Sequence, residues 1–309
     1  MRIIRSIKEF QLPAKPVCLA IGVFDGVHLG HQTLLNRCVA AATSCSGVSV
    51  VVTFDRHPNS TVNPQKTPPL ISTLSQRLES IESSGIDTLC LIPFDEEFAK
   101  ISGRDFVHEL TTHFDSLNSI FLGSDFHFGN QRSGNARLLQ EMGQSLNFKT
   151  VVVPPSNFDN RIISSTRIRE AIQAGALDDV SAMLDRPYIL RGTIIRGNQL
   201  GRTLGFPTAN LDVSGMALPP SGVYAVIANV HGEKIRGVLN LGYRPSIHQP
   251  TRSIHCEVHL LNFERDIYGA EIDIDWVAKL REEQKFDGLD RLVAQIRADV
   301  EAAKVVFQD

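Results

Sequence analysis

Long apolar runs are missing from this 309-residue sequence. No stretch approaches the roughly 20 apolar residues that a membrane-spanning helix needs. The opening MRIIRSIKEF has no apolar core of the kind a signal peptide carries, so a cytoplasmic protein is expected. An excess of one charge is missing too. Lys and Arg number 31 against 34 Asp and Glu, net charge is -3, and no basic block appears. A dedicated role on nucleic acid or a membrane surface therefore has no electrostatic support. Cysteine is scarce: five residues, an odd number, scattered and without a Cys-x-x-Cys. That excludes a disulfide framework and points to small buried thiols in a reducing compartment. Internal repeats and low-complexity tracts are also lacking, and the expected state is a monomer or a weak homo-oligomer.

What remains is ordinary globular composition, 42% hydrophobic and 21% charged, long enough for two domains. Through residue 185 the chain repeats one pattern of short β-branched runs and amphipathic segments. The runs are Val17–Ile21, Val48–Phe54, Thr88–Pro93, Ser119–Gly123 and Thr150–Val153; helical spacing lies between them near His31–Thr43, Ser75–Ser83, Gly103–Phe114 and Asn135–Leu146. Two further helical stretches, Thr166–Ala174 and Leu177–Leu184, close this half. The alternation predicts an α/β domain over 1–185 with a parallel sheet, whose ligands gather beyond the carboxyl ends of the strands. Asn59–Pro69, with three prolines, is expected to be a mobile loop. After Asp185-Arg186-Pro187, strand-like runs follow one another without helices: Tyr188–Ile195, Val223–Val230, Ile235–Leu239, Cys256–Leu261 and Glu271–Val277. They predict an antiparallel β-barrel or sandwich over 186–309, closed by an amphipathic helix from Leu289 to Phe307.

The first strand-to-helix turn reads GVFDGVHLGHQTLL, Gly22 to Leu35. Gly22 and Gly26 permit a sharp turn, and Gly30 permits close approach of a ligand to the backbone. His28 and His31 fall at the start of the next helix, whose free N–H groups and dipole attract anions. Imidazole donors there can hold a phosphate and stabilise charge that grows on it. Two alternatives stay open on these residues alone: zinc, for which histidines three apart share a helical face, and histidines merely packed near a corner. Further on, Ser164, Ser165 and Thr166 form an N-cap cluster that, with Arg167 or Arg169, can bind a second anion. In the second half, RGNQLGRTLGFPTANL places Gly197, Gly201 and Gly205 at intervals of four. It is not a Walker A loop, because Arg202 replaces the lysine and a strand-like run follows Pro207. Its backbone can still cradle phosphates, with Thr208 and Asn210 offering oxygens to Mg²⁺; glycines serving hairpin turns explain it equally well.

His28-x-Gly30-His31 after a first strand resembles the nucleotidyltransferase superfamily. The surrounding Phe24-Asp25-Gly26-Val27-His28 is similar to the prokaryotic bifunctional riboflavin kinase/FAD synthetases. TFDRHP (Thr53–Pro58), LGSDFHFGNQRSG (Leu122–Gly134) and ISSTRIREA (Ile163–Ala171) occur in that family's order. GRTLGFPTAN resembles the flavokinase signature, and SGVYAV, GVLNLGYRPS, CEVHLLNF and DIYG follow it. Val23, Arg56 and Ser246 stand where the family commonly has asparagine, proline and threonine. The resemblance implies a Rossmann-like adenylyltransferase domain followed by a flavokinase barrel. It implies ATP or phosphate contacts for Gly22, Phe24, Asp25, Gly26, Gly30, Ser164, Ser165, Thr166, Arg169, Gly197, Gly201, Arg202 and Gly205. It places Asp125, Phe128 and Arg244 at flavin, Thr208 and Asn210 at Mg²⁺, and chemistry on His28, His31 and Glu257. Expected partners are ATP, riboflavin, FMN and FAD. Two other readings remain at this stage: an enzyme with only the kinase live, and a flavin-binding regulator with decayed catalysis.

Overall fold

The computed structural model describes residues 1–10, 15–114, 116–197, 201, 204–244 and 253–308. The chain divides into two compact units: Met1–Ile168 with Ala182–Asp185, and Arg169–Ser181 with Arg186–Asp309.

The first unit is built on a six-stranded parallel sheet. Its strands are β1 (Arg2–Ile4), β2 (Val17–Ile21), β3 (Val48–Phe54), β4 (Thr88–Ile92), β5 (Leu117–Gly123) and β6 (Lys149–Val153), in the order β1-β4-β3-β2-β5-β6. β2 is buried along its whole length and alternates between two cores. Leu19 and Ile21 face one with Phe106, Leu110 and Leu139, while Cys18 and Ala20 face the other with Leu35, Cys38 and Ile81. Burial on both faces explains why the sequence shows apolar runs here rather than alternation. The helices α1 (Leu29–Ser44), α2 (Asn59–Val62), α3 (Leu74–Ser83), α4 (Gly103–His113) and α5 (Ala136–Leu146) connect the strands. Local chemistry fixes their starts: Thr73 and Gln76 form a capping box on α3, and Ser102 and Asn135 cap α4 and α5. The chain runs β2, β3, β4 to one side and then crosses to β5 and β6 on the other. The crevice between the exits of β2 and β5 is therefore the switch point of the sheet.

One expectation needed correction, and two elements were not anticipated. β1, only three residues long, gave no periodic signal and adds to the sheet edge beside β4. Asn59–Pro69 is not simply loop, because α2 and a 3-10 turn at Pro64–Lys66 occupy it. A hairpin of β7 (Asn157–Phe158) and β8 (Arg161–Ile162) precedes α6 (Ser165–Ala174) and α7 (Leu177–Leu184).

The second unit contains a closed antiparallel barrel, not a sandwich. β9 (Ile189–Ile195), β10 (Ala209–Asp212), β11 (Gly222–Val230), β12 (Glu233–Arg244), β13 (Ser253–Leu260) and β14 (Glu271–Arg281) close in the order β10-β13-β12-β11-β14-β9. The last helix, α8 (Leu289–Val306), lays Val300 and Ala303 against Val223, Ala225 and Val238. Arg281 at the end of β14 holds it with a two-point bond to Asp299, 2.7 and 2.8 Å. Cys18, Cys38, Cys90 and Cys256 are buried and Cys45 half-buried, all as free thiols. Among the described residues no helix is long and apolar enough to cross a membrane.

Candidate active sites

In the first unit, the chain leaves β2 at Gly22 and makes a contorted turn into α1. Phe24, Gly26 and Val27 all have positive φ (55°, 81° and 39°). For β-branched Val27 this is a strained conformation, of the kind that clusters at functional sites. The Phe24 ring is fully buried beneath Gly22, where a Cβ would lie 2.9 Å from Cζ. Asp25 is buried and its carboxylate accepts the backbone N–H groups of Ile71 (3.1 Å) and Ser72 (3.3 Å). Gly26 donates its N–H to Ser72 Oγ. Asp25 thus sets the shape of the turn through the segment before α3.

His28 is the cap of α1 itself, one step earlier than the first helical turn, and its Nδ1 accepts the His31 N–H. That bond assigns the proton of neutral His28 to Nε2. The two imidazoles stack with centroids 3.7 Å apart, and Phe24 meets His31 edge-on. Burial, then the neighbouring His28, pushes the His31 pKa well below its usual 6.5, so its ring is neutral at physiological pH. His31 Nδ1 is enclosed and has no hydrogen-bond partner among the described residues. A Cβ on Gly30 would come within 3.1 Å of the His28 ring, so the glycine keeps the helix start uncluttered.

The structure brings the serine cluster to the same turn: Ser165 Oγ donates to the Asp25 carbonyl at 3.0 Å, and Ser164 Oγ accepts the Arg167 N–H. Thr166 is exposed at the first turn of α6. Arg167 supports the hairpin before it, donating to the Phe158 and Arg161 carbonyls. Arg169 is buried and belongs to the second unit. The zinc alternative finds no support in geometry: among the described residues no three His, Cys, Asp or Glu side chains are grouped to hold a metal ion.

Beside the turn, phenylalanines gather at the carboxyl ends of the strands. Phe54 ends β3, Phe94 follows β4, and Phe126 and Phe128 follow β5; Phe98 and Phe106 join them, neighbouring ring centroids lying 5.0–6.1 Å apart. Phe128 is buried against Phe106, while Phe126, Phe94 and Phe98 remain half-buried. Asp125 is exposed at the start of this loop. Sequence reasoning found Phe128 but missed Phe54, Phe94 and Phe98. The available signal was Phe54 at the end of one strand run and Phe94 directly after the next.

In the second unit, Glu257 on β13 lies opposite Asn210 on β10 and Asn240 on β12. Alternation puts half-buried His255, Glu257 and His259 on one face and buried Cys256, Val258 and Leu260 on the other. His255 Nδ1 is 3.8 Å from Glu257 Oε1, and His259 Nδ1 bonds the Pro207 carbonyl. A Cβ on Gly197 would lie 2.2 Å from Asn210 Nδ2, and one on Gly201 3.0 Å from Thr208 Oγ1. Both glycines thus admit the polar side chains against their backbone. Gly205 has φ 84° and faces open space. Arg202 lies outside the described residues, and of Arg244 only the backbone, ending β12, is described. Asn240 was not anticipated, since a single asparagine in a strand carries no motif.

Comparison with known proteins covers both units. The FAD synthetase family model matches residues 11–167 and the riboflavin kinase model residues 184–307. A Bacillus subtilis protein named bifunctional riboflavin kinase/FMN adenylyltransferase is 36% identical over 98% of this chain and 95% of its own. An Escherichia coli protein of the same name is 34% identical over 99% and 98%. A crystal structure described as a macrolide-efflux protein from Streptococcus pneumoniae superposes with a TM-score of 0.81, at 30% identity and 98% coverage of each chain.

Proposed function

This chain belongs to the bifunctional riboflavin kinase/FMN adenylyltransferase family, and from that premise we propose how its residues divide the work. It is a multifunctional transferase of flavin cofactor synthesis. It phosphorylates riboflavin with ATP to FMN, then adenylylates FMN with a second ATP to FAD and pyrophosphate. We assign the second reaction to residues 1–185 and the first to 186–309, in a cytoplasmic protein that is monomeric or weakly self-associating.

In the adenylyl step an oxygen of the FMN phosphate attacks the α-phosphorus of ATP and pyrophosphate leaves. The N–H groups at the start of α1 and the Nε2–H of His28 are the donors for charge building on that phosphorus. Neutral His31 holds the His28 ring by stacking and binds phosphate beside it. Gly22, Gly26 and Gly30 let the nucleotide approach the backbone, Phe24 and Asp25 keep the turn in shape, and Ser164–Thr166 bind the pyrophosphate side. The phenylalanine wall, with Phe128 behind it and Asp125 at its edge, packs against the flavin ring.

In the kinase step the primary hydroxyl of riboflavin attacks the γ-phosphorus of ATP while Glu257 accepts its proton. Gly197, Gly201 and Gly205, and with them Arg202, contact the ATP phosphates, and Arg244 contacts the flavin. The Thr208 hydroxyl and the Asn210 amide oxygen are hard donors, a set that would hold Mg²⁺. Bound magnesium would neutralise charge on the transferred phosphoryl group. The observation that carries the reading is the placement of Glu257 directly across from Asn210 in one unit, with the stacked histidines at a helix start in the other.

The test is a time course of the purified chain with riboflavin, ATP and Mg²⁺, its flavins separated by chromatography. FMN should appear first and FAD after it, and a chelator should stop both. FMN accumulating with no FAD at all would contradict the two-activity assignment.

A further inference from the structure

Arg77, on α3, is buried at 6% exposure yet meets no carboxylate within ion-pair distance among the described residues. Its guanidinium instead forks between two main-chain carbonyls. One nitrogen donates to Val23 at 2.9 Å and the other to Phe54 at 2.5 Å, while Nε has no acceptor among the described residues. Val23 and Phe54 stand at the exits of the neighbouring strands β2 and β3. Gly22 still bonds β3 through its N–H, but the positive φ of Phe24 turns the chain away, so the Val23 carbonyl leaves the ladder. Arg77 and Thr53 Oγ1 supply its hydrogen bonds.

The same short segment makes further anchors of the turn. Ile71 and Ser72 donate to the Asp25 carboxylate, and Ser72 Oγ receives the Gly26 N–H. Residues 71–77 therefore back the histidine turn at Val23, Asp25 and Gly26. Burial penalises this cation, the Asp25 and Asp55 carboxylates attract it only from beyond ion-pair distance, and an apolar side chain of similar volume is often as stable or more so. Keeping arginine here calls for a task beyond packing. A planar fork can hold two carbonyls at once, which a single ammonium cannot do.

We propose that Arg77 is a positioning residue for adenylyl transfer: it fixes the exit of β2 relative to β3 and so holds His28 and His31 at the height the α-phosphate requires. This rests on the assignment of that reaction to the histidine turn. A turn displaced by about 1 Å loses about a hundredfold in rate while ground-state contacts change little, so the effect belongs mainly to kcat.

The experiment uses the full-length chain with Mg²⁺ and three variants, Arg77→Met, Arg77→Lys and His28→Ala. Each is assayed for FAD formation from FMN and for FMN formation from riboflavin in the same preparation. Arg77→Met should lower kcat for FAD formation by about ten- to a hundredfold, with KM for ATP and FMN changed less than about threefold. FMN formation should stay within about twofold, which shows that the chain is folded. Arg77→Lys, which keeps the charge and one hydrogen bond, should recover part of the loss. If His28→Ala abolishes FAD formation but both Arg77 variants stay within about twofold of the parent, the inference fails. It fails equally if Arg77→Met loses both activities together while Arg77→Lys shows no selective loss of kcat for FAD. If His28→Ala itself leaves FAD formation intact, the underlying assignment is wrong and the inference falls with it.

Discussion

The histidine turn of the first unit is enclosed and braced by hydrogen bonds. Phe24, Val27, Asp25 and His28 are all buried, and two residues outside glycine hold positive φ. In the second unit Glu257, Asn210 and Thr208 are half-buried, and among the described residues a Cβ on Gly205 would meet nothing within 4 Å. The difference fits the proposed division of tasks. On that proposal adenylyl transfer needs donors fixed around an α-phosphorus inside a bulky nucleotide, which a strained, buried turn would pre-set. Phosphoryl transfer to a flexible hydroxyl relies instead on positioning and metal charge.

If that contrast is right, single substitutions separate the two halves. The largest effect is expected from Glu257→Gln, which removes the base. FMN formation should fall by about 10²–10⁴, while FAD formation from supplied FMN is unchanged in a coupled pyrophosphate-release assay. His28→Ala should do the reverse, lowering FAD formation by at least about a hundredfold with FMN formation intact. Gly197→Ala sharpens the comparison within the barrel, because its Cβ would sit 2.2 Å from Asn210 Nδ2. We expect FMN formation to drop by about tenfold or more, a loss of at least about 1.4 kcal/mol, with the magnesium requirement shifted to higher concentration.

Stability should also divide. Asp299→Asn breaks the bond to Arg281 that ties α8 to the barrel. Because Arg281 keeps 21% of its side chain exposed, the cost should be about 2–4 kcal/mol, near the low end for breaking a buried pair. Urea unfolding should show the loss in the transition that also removes kinase activity. The smallest effect concerns pH. His31 has a lower pKa in the folded chain than the usual 6.5, so below that pH the unfolded state binds more protons. The stabilisation is complete above about pH 6.5 and is lost as pH falls toward the folded value. His31→Gln should therefore flatten the decline in stability between about pH 7 and 5, measured by denaturant midpoints.

Both architectures were legible because each is written in local periodicity. Buried runs alternating with helical spacing specify the parallel sheet, and EIDIDWVAKL alternates as a barrel strand should. β12 extends well beyond the expected Ile235–Leu239, to Glu233–Arg244, because pairing with β11 and β13 carries polar ends such as Asn240 into the ladder. The candidate site was legible where its residues are contiguous, as in Gly22–His31. Arg77 was not, since it comes from a helix about fifty residues onward and an arginine in an amphipathic pattern reads as solvent-facing. Most of the phenylalanine wall escaped for a related reason: a strand end, two loops and a helix contribute to it, and only the fold brings them together.

The most direct test of two independent sites on one chain is complementation. His28→Ala and Glu257→Gln chains are each incubated with riboflavin, ATP and Mg²⁺, alone and mixed, and the flavins are separated. Alone, the first should stop at FMN and the second should leave riboflavin unchanged; mixed, they should make FAD. A mixture that makes no FAD, from two folded proteins, would contradict the account.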